Sequence, residues 1–213
     1  MKTNSIEPNP QRSTRFLWPA LGIILLMGVA YTWLDMLQPA EWITAILAFI
    51  PGIVSLLALR AYQRSLGSSD TTLQYKPLSL KGGLALAAAT ILMLPILGAS
   101  TGFIGWQWLP ALVYAPASGI AQELYFRASL LPALEKMTGK KSLALVLHGL
   151  IFIAFHLRTF LAMGLQPVAL VTVLVLFAAG CAWGWQVQRD RTVVWAMLQH
   201  SLFLMLMSMF AYG

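Results

Sequence analysis

Long apolar runs separated by short polar breaks dominate this sequence and limit what it can fold into. A hydrocarbon core about 30 Å thick requires roughly 20 apolar residues per helix, and several runs approach or reach that length. With 59% hydrophobic and only 10% charged residues, the chain has more apolar surface than a soluble domain can bury. We therefore predict an all-α fold, a polytopic transmembrane helix bundle of about seven helices. The predicted spans are residues 16–37, 41–61, 82–99, 109–134, 142–157, 164–187 and 193–212.

The domain organisation follows from the absence of any low-complexity tract or internal repeat. We expect a single integral membrane domain over residues 1–213, with residues 1–15 as a short cytoplasmic tail. The first apolar run is too long for a signal-peptide core, so we expect it to remain as an anchor.

Basic residues occur mainly in alternate loops. Under the positive-inside rule this pattern predicts a cytoplasmic N-terminus in the cell's inner or plasma membrane, and seven spans place the C-terminus outside. The bases are scattered between apolar runs, so the net charge of +7 indicates topology and a lipid partner rather than a nucleic-acid partner. Twelve of the 14 bases have this placement: Lys2, Arg12, Arg15, Arg60, Arg64, Lys76, Lys81, Lys136, Lys140, Lys141, Arg189 and Arg191.

Two ionisable residues, Glu123 and Arg127, lie inside the fourth predicted span. A charge inside the bilayer costs several kcal/mol unless it is paired or hydrated, so such residues commonly line a cavity or an active site. Their spacing of four places them about 40° apart around a helix and about 6 Å apart along it, close enough for an ion pair. The pair alone is as consistent with a structural ion pair that holds two helices together as with a functional site.

Histidines supply further polar groups to the later spans. At about 1.5 Å of rise per residue, Glu123, His156 and His200 all fall in the middle of the bilayer, where three helices could share one hydrated pocket. His148 lies eight residues before His156, about 80° around the helix and about 12 Å nearer the cytoplasm, and we leave it out of the expected site.

A carboxylate and two imidazoles suit hydrolysis. The carboxylate takes a proton from water, one histidine orients that water, and the other donates a hydrogen bond to the developing oxyanion. The same three groups could hold zinc, but the sequence has no His-Glu-x-x-His helix and no acidic partner to support such ligands. The single cysteine, Cys181, allows neither an intramolecular disulfide nor a cysteine metal cluster. We expect no cofactor, with zinc as the open alternative.

Three sequence blocks resemble a known family. The block from Gln122 to Arg127 resembles a Glu-Glu-x-x-x-Arg motif, Phe152 to His156 matches Phe-x-x-x-His, and the block beginning at His200 is similar to His-x-x-x-Asn. In this order, residues 105–208 resemble the CPBP family of intramembrane glutamic-type proteases. CPBP stands for CAAX protease and bacteriocin-processing, and the family is also called Abi.

The resemblance implies a membrane helix bundle with a cavity open to the cytoplasmic side. It also implies an endopeptidase that hydrolyses a membrane-anchored protein or peptide with a glutamate-activated water. Combining this implication with the residue chemistry, we predict Glu123, His156 and His200 as catalytic residues, supported by Arg127 and Gln122.

The sequence departs from the family pattern at three positions. Gln122 replaces the first Glu, and an amide cannot take a proton from water. Leu204 replaces the Asn that assists the oxyanion, a loss that typically costs about 3 kcal/mol of transition-state stabilisation. Ala128 replaces a Gly. The alternatives are therefore an inactive binding or bacteriocin self-immunity protein and, third, a small transporter or proton relay, for which the sequence has no inverted repeat.

Overall fold

Helices account for most of the described residues in the computed structural model, which describes residues 10–37, 41–68, 71–98, 102–105, 107–163 and 167–211. Two π-helical turns, Pro110–Tyr114 and Phe126–Leu130, precede and follow the fifth α-helix. Strands β1 (Gly102–Phe103) and β2 (Phe210–Ala211) form one short antiparallel pair. The α-helices are α1 (Pro10–Met36), α2 (Glu41–Leu47), α3 (Phe49–Ser65), α4 (Leu80–Gly98), α5 (Ala115–Tyr125), α6 (Leu131–Thr138), α7 (Lys141–Ala154), α8 (Leu157–Met163), α9 (Pro167–Asp190) and α10 (Val194–Met207).

The predicted all-α bundle of about seven helical stretches is confirmed, because α2 runs into α3 and α5 continues through its π turn into α6. Among the described residues, three helices are long and apolar enough to cross a bilayer, namely Phe16–Leu34, Trp42–Ser65 and Ala169–Asp190. α7 and α10 have 14 residues each. At 1.5 Å per residue each covers only about 21 Å, so these helices are shorter than predicted. The chain is a membrane protein.

Several boundaries differ from the prediction. α1 begins at Pro10, so the predicted tail is partly helical, and residues 1–9 lie outside the described part of the chain. The predicted span 142–157 is interrupted because α7 ends at Ala154. There the backbone N–H of His156 bonds to the carbonyl of Ile153 at 2.8 Å, a tighter turn than an α-helix makes.

Contacts between loops fix the two ends of the bundle. The carboxylate of Asp190 accepts the backbone N–H of Ser79 at 3.4 Å, so α4 begins where α9 ends. The pairing of β1 with β2 joins the connection after α4 to the segment after α10 at the opposite end. Successive connections therefore lie at alternate ends of the bundle, and this arrangement fits the distribution of basic residues along the sequence. Which end faces the cytoplasm stays a prediction.

Glycines allow neighbouring helices to approach α5 closely. A Cβ added at Gly52 of α3 would lie 2.9 Å from the carbonyl oxygen of Ala121. A Cβ at Gly119 of α5 would lie 2.9 Å from the Cα of Ser201 in α10. Only glycine fits at such distances without a shift of the backbone, so α5 is held between α3 and α10.

A second close crossing joins α7 and α9, as the Gly-x-x-x-Gly spacing suggests. A Cβ at Gly180 would lie 2.8 Å from the Phe152 ring, and one at Gly184 would lie 2.7 Å from Leu145. From the other side, Gly149 of α7 faces Cys181. This crossing places Phe152 beside the buried charges of α5.

Candidate active site

The Glu123 carboxylate is the centre of a buried polar cluster. Its Oε1 accepts a hydrogen bond from Arg127 Nη1 at 2.7 Å and another from His200 Nδ1 at 2.8 Å. The side chains of Glu123 and Arg127 are 0% exposed. Oε2 is buried and has no hydrogen-bond partner among the described residues. One carboxylate oxygen is therefore fixed by two donors, and the other is available to a further donor.

The backbone between Glu123 and Arg127 changes from α to π geometry. The π turn Phe126–Leu130 follows α5 directly, and Ser129 Oγ donates to the carbonyl of Leu124 at 2.7 Å. Single π turns within α-helices are rare and often occur at functional sites. Here the turn carries Arg127 at its second position, where its side chain points back to Glu123.

Aromatic rings surround the Arg127 guanidinium. Its Cζ lies 4.5 Å from the ring centre of Phe152, 5.2 Å from Trp183 and 5.5 Å from Phe126. Its Nη2 also lies 3.5 Å from the carbonyl oxygen of Gly180. Cation–π contacts in a desolvated site contribute about 2 kcal/mol or more. Three rings, a carbonyl and a carboxylate together compensate for the loss of water around this charge.

His200 reaches Glu123 because α10 crosses α5 closely. The adjacent residue, Ser201, packs against Gly119 of α5. The imidazole stacks on the Trp183 ring with centroids 4.8 Å apart and an interplanar angle of 22°, and the residue is 3% exposed. The stacking fixes the ring plane while the bond to Glu123 fixes its Nδ1.

His156 lies in the turn that follows α7. Its Nδ1 is 2.8 Å from the carbonyl oxygen of Phe152 and donates to it, so a neutral ring has an unprotonated Nε2 that can accept a hydrogen bond. The Phe152 ring lies between the two predicted catalytic histidines, with its centroid 4.8 Å from His156 and 6.4 Å from His200. The structure thus places His156 beside the cluster, without a direct hydrogen bond to Glu123 among the described residues.

The other polar residues of the motif region lie apart from this cluster. Gln122 is half-buried and its Nε2 donates to Ser118 Oγ at 3.2 Å, so its amide is not bonded to Glu123. His148 is 0% exposed and packs edge-on against Phe126 at 5.8 Å. Both of its ring nitrogens lack a partner among the described residues. His148 therefore packs against one of the aromatic rings that surround the Arg127 guanidinium.

The described residues of this cluster do not form a metal site. Among the described residues, no group of three His, Cys, Asp or Glu side chains is arranged to hold an ion. Glu123 Oε1 already accepts from a guanidinium, and a cation placed there would meet that positive charge. We derive no catalytic step through zinc, and the expectation that no cofactor is needed stays a prediction.

Sequence reasoning missed two groups that shape the cluster, the Trp183 ring and the Gly180 carbonyl. Trp183 contacts both Arg127 and His200, yet in the sequence it is one of eight tryptophans in a strongly apolar chain. The available signal was its position three residues after Gly180, since residues three apart share a helix face and Gly180 lies at the close crossing with α7.

The region of the site is similar to a known protein family. The family described as type II CAAX prenyl endopeptidase Rce1-like matches residues 104–206, which closely agrees with the region of the three sequence blocks. No curated protein and no solved structure matches the chain significantly. Residues 104–206 are thus similar to the Rce1-like family of CAAX prenyl endopeptidases, which is consistent with the CPBP resemblance of the motifs.

Proposed function

We propose that this protein is an intramembrane endopeptidase that hydrolyses a peptide bond of a membrane-anchored protein or peptide with a water activated by Glu123. The observation that carries the proposal is the asymmetry of the Glu123 carboxylate. Oε1 is held by Arg127 and His200, whereas the buried Oε2 has no partner among the described residues. A buried acceptor without a partner costs about 1–3 kcal/mol, and a water bound there would remove that cost.

The proposed reaction begins with this water. Its oxygen attacks the carbonyl carbon of the scissile bond while one of its protons passes to Glu123 Oε2. Glu123 then gives the proton to the leaving nitrogen as the C–N bond breaks. Arg127 positions the carboxylate throughout and touches neither water nor substrate. General base catalysis of this kind contributes about 10²–10⁴ in rate.

The two histidines take different roles because their Nδ1 atoms have different partners. His156 donates from Nδ1 to a backbone carbonyl, which leaves Nε2 to accept a hydrogen bond from the attacking water. His200 donates from Nδ1 to Glu123. When His200 is protonated, its Nε2–H can donate to the developing oxyanion. Leu204, at the position of the family's oxyanion-assisting Asn, has no hydrogen-bond donor in its side chain. We therefore assign His200 as the main hydrogen-bond donor to the oxyanion.

A second candidate, a binding protein that keeps the protease scaffold without activity, is favoured by one observation. Gln122, at the position of the family's first Glu, is an amide whose Oε1 is buried without a partner among the described residues. In this alternative the contact of Glu123 with Arg127 is only a structural ion pair, a common role for buried charges.

The function can be tested by comparing membrane proteomes of cells that carry the wild type, Glu123→Gln, His156→Ala or His200→Ala. We expect the uncleaved form of the same membrane protein to accumulate in all three variants, and Arg64→Gln, an exposed control, to resemble the wild type. Gln122→Glu distinguishes the two candidates. It leaves processing nearly unchanged if Glu123 is the base, whereas the appearance of cleavage only in Gln122→Glu would support an inactive natural chain.

A further inference from the structure

A second cavity lies where α7 begins and α9 ends, and it is separate from the Glu123 cluster. Its volume of about 400 Å³ lies within the range of roughly 300–1,000 Å³ that is typical of small-molecule sites. Six residues of the two helices line it: Lys141, Ser142, Leu145, Trp185, Gln188 and Arg189.

The charge of this cavity is positive. Lys141 and Arg189 are exposed at its edge, and none of the described residues that line it carries a carboxylate. Two nearby carboxylates have other partners. Glu135 Oε2 lies 3.6 Å from Arg191 Nη1, and Asp190 accepts a hydrogen bond from the segment that precedes α4. Two cations without a lining counter-charge form a site for an anion such as phosphate.

A hydrogen bond holds the two sides of the cavity together. Gln188 Nε2 donates to the backbone carbonyl of Lys141 at 3.0 Å and so ties α9 to the first residue of α7. The backbone positions of Lys141 and Arg189 are therefore fixed relative to one another. Ser142, next to Lys141, adds an exposed hydroxyl that can donate to an anion.

Apolar surface continues from the cavity along α7. Ser142, Val146 and Leu150 follow one another at intervals of four residues and so share one helix face. Val146 is 44% and Leu150 51% exposed, although both are apolar. Trp185, which is 40% exposed, lies one turn before Arg189, a placement typical of the membrane interface. A cationic cavity at the end of an apolar helix face matches the shape of a phospholipid, a charged head on acyl chains.

We propose that this cavity binds the phosphate of an anionic phospholipid. Lys141 and Arg189 pair with the phosphate oxygens, Ser142 donates a hydrogen bond, and the acyl chains lie along Val146 and Leu150. Basic pockets between membrane helices bind anionic headgroups by this chemistry. The site does not depend on the proposed protease activity, and binding is measured without any substrate.

Native mass spectrometry of the full-length protein, released from a neutral detergent, tests the proposal. Phosphatidylglycerol and phosphatidylcholine are titrated separately, and inorganic phosphate is added as a competitor. We expect Lys141→Gln/Arg189→Gln to bind phosphatidylglycerol roughly 30-fold more weakly than the wild type, as the loss of two bases near a bilayer surface predicts. The matched control Arg64→Gln/Lys81→Gln also removes one Arg and one Lys, and it should bind like the wild type.

Three results would overturn this inference. The first is equal phosphatidylglycerol binding by the wild type and the site variant, and the second is an equal loss of binding in the matched control. The third is full displacement of the lipid by inorganic phosphate, because that result would assign the site to a free anion. If the double site variant does not fold, Lys141→Gln alone decides the question, with an expected loss of about fivefold. Lys141→Arg, which keeps the charge, should then restore binding.

Discussion

At the scale of single residues, the position of Arg127 explains how the Glu123 carboxylate can be buried in an apolar core. The guanidinium donates to Oε1 at 2.7 Å and lies among three aromatic rings. The sequence predicted this pair from its spacing alone. It could not predict that His200 shares the same oxygen, because the azimuth of α10 depends on the close contact between Gly119 and Ser201.

Substitution of Arg127 should therefore destabilise the protein strongly. Arg127→Gln leaves a buried carboxylate with one donor in place of two, and breaking such a pair typically costs about 3–5 kcal/mol. Thermal unfolding of the purified protein in detergent measures the loss. In Glu123→Gln/Arg127→Gln no charge is left unpaired, so its loss should be clearly smaller than the sum of the two single losses. Additive losses would show that the two side chains are not coupled.

At the scale of elements, the sequence predicted which helices exist better than where they end. Apolar runs identify membrane helices because the hydrocarbon core of the bilayer requires apolar side chains. The end of α7 at Ala154 was missed, since nothing in the local pattern marks the turn that His156 occupies. The candidate site was predictable as a set of residues, whereas the inclusion of Trp183 depends on how α9 is rotated in the bundle.

The crossing of α7 and α9 provides a test at this scale. Gly180→Ala would place a Cβ 2.8 Å from the Phe152 ring, which itself contacts Arg127 and both predicted catalytic histidines. We expect a loss of about 1–3 kcal/mol in the free energy of unfolding. Gly22→Ala in α1 is the matched control, because a Cβ there meets nothing within 4 Å. Equal stability of the two variants would contradict the close crossing.

At the scale of the whole molecule, the alternation of basic and base-poor connections predicts the orientation. The beginning of α4 and the end of α9 share one end of the bundle, while β1 and β2 meet at the other. The structure thus fixes which loops lie together, but a bundle has the same contacts whichever end faces the cytoplasm. Only the positive-inside rule orients it.

Cysteine labelling can test this orientation after Cys181 is replaced by Ala. A cysteine at Lys140, in the basic connection before α7, should react with a membrane-impermeant maleimide only after the cells are opened. A cysteine at Ile104, just after β1, should react in intact cells. The reverse pattern would contradict a cytoplasmic N-terminus.

The central claim is that Glu123 activates the water. Its most direct test is the cleavage rate of the substrate found by membrane proteomics, measured with purified protein in liposomes for the wild type and Glu123→Gln. Melting curves of both proteins, together with Glu123→Asp as a variant that keeps the carboxylate, separate loss of chemistry from loss of fold. We predict a rate at least about 100-fold lower for a folded Glu123→Gln protein. A folded Glu123→Gln protein that cleaves at the wild-type rate would contradict the account.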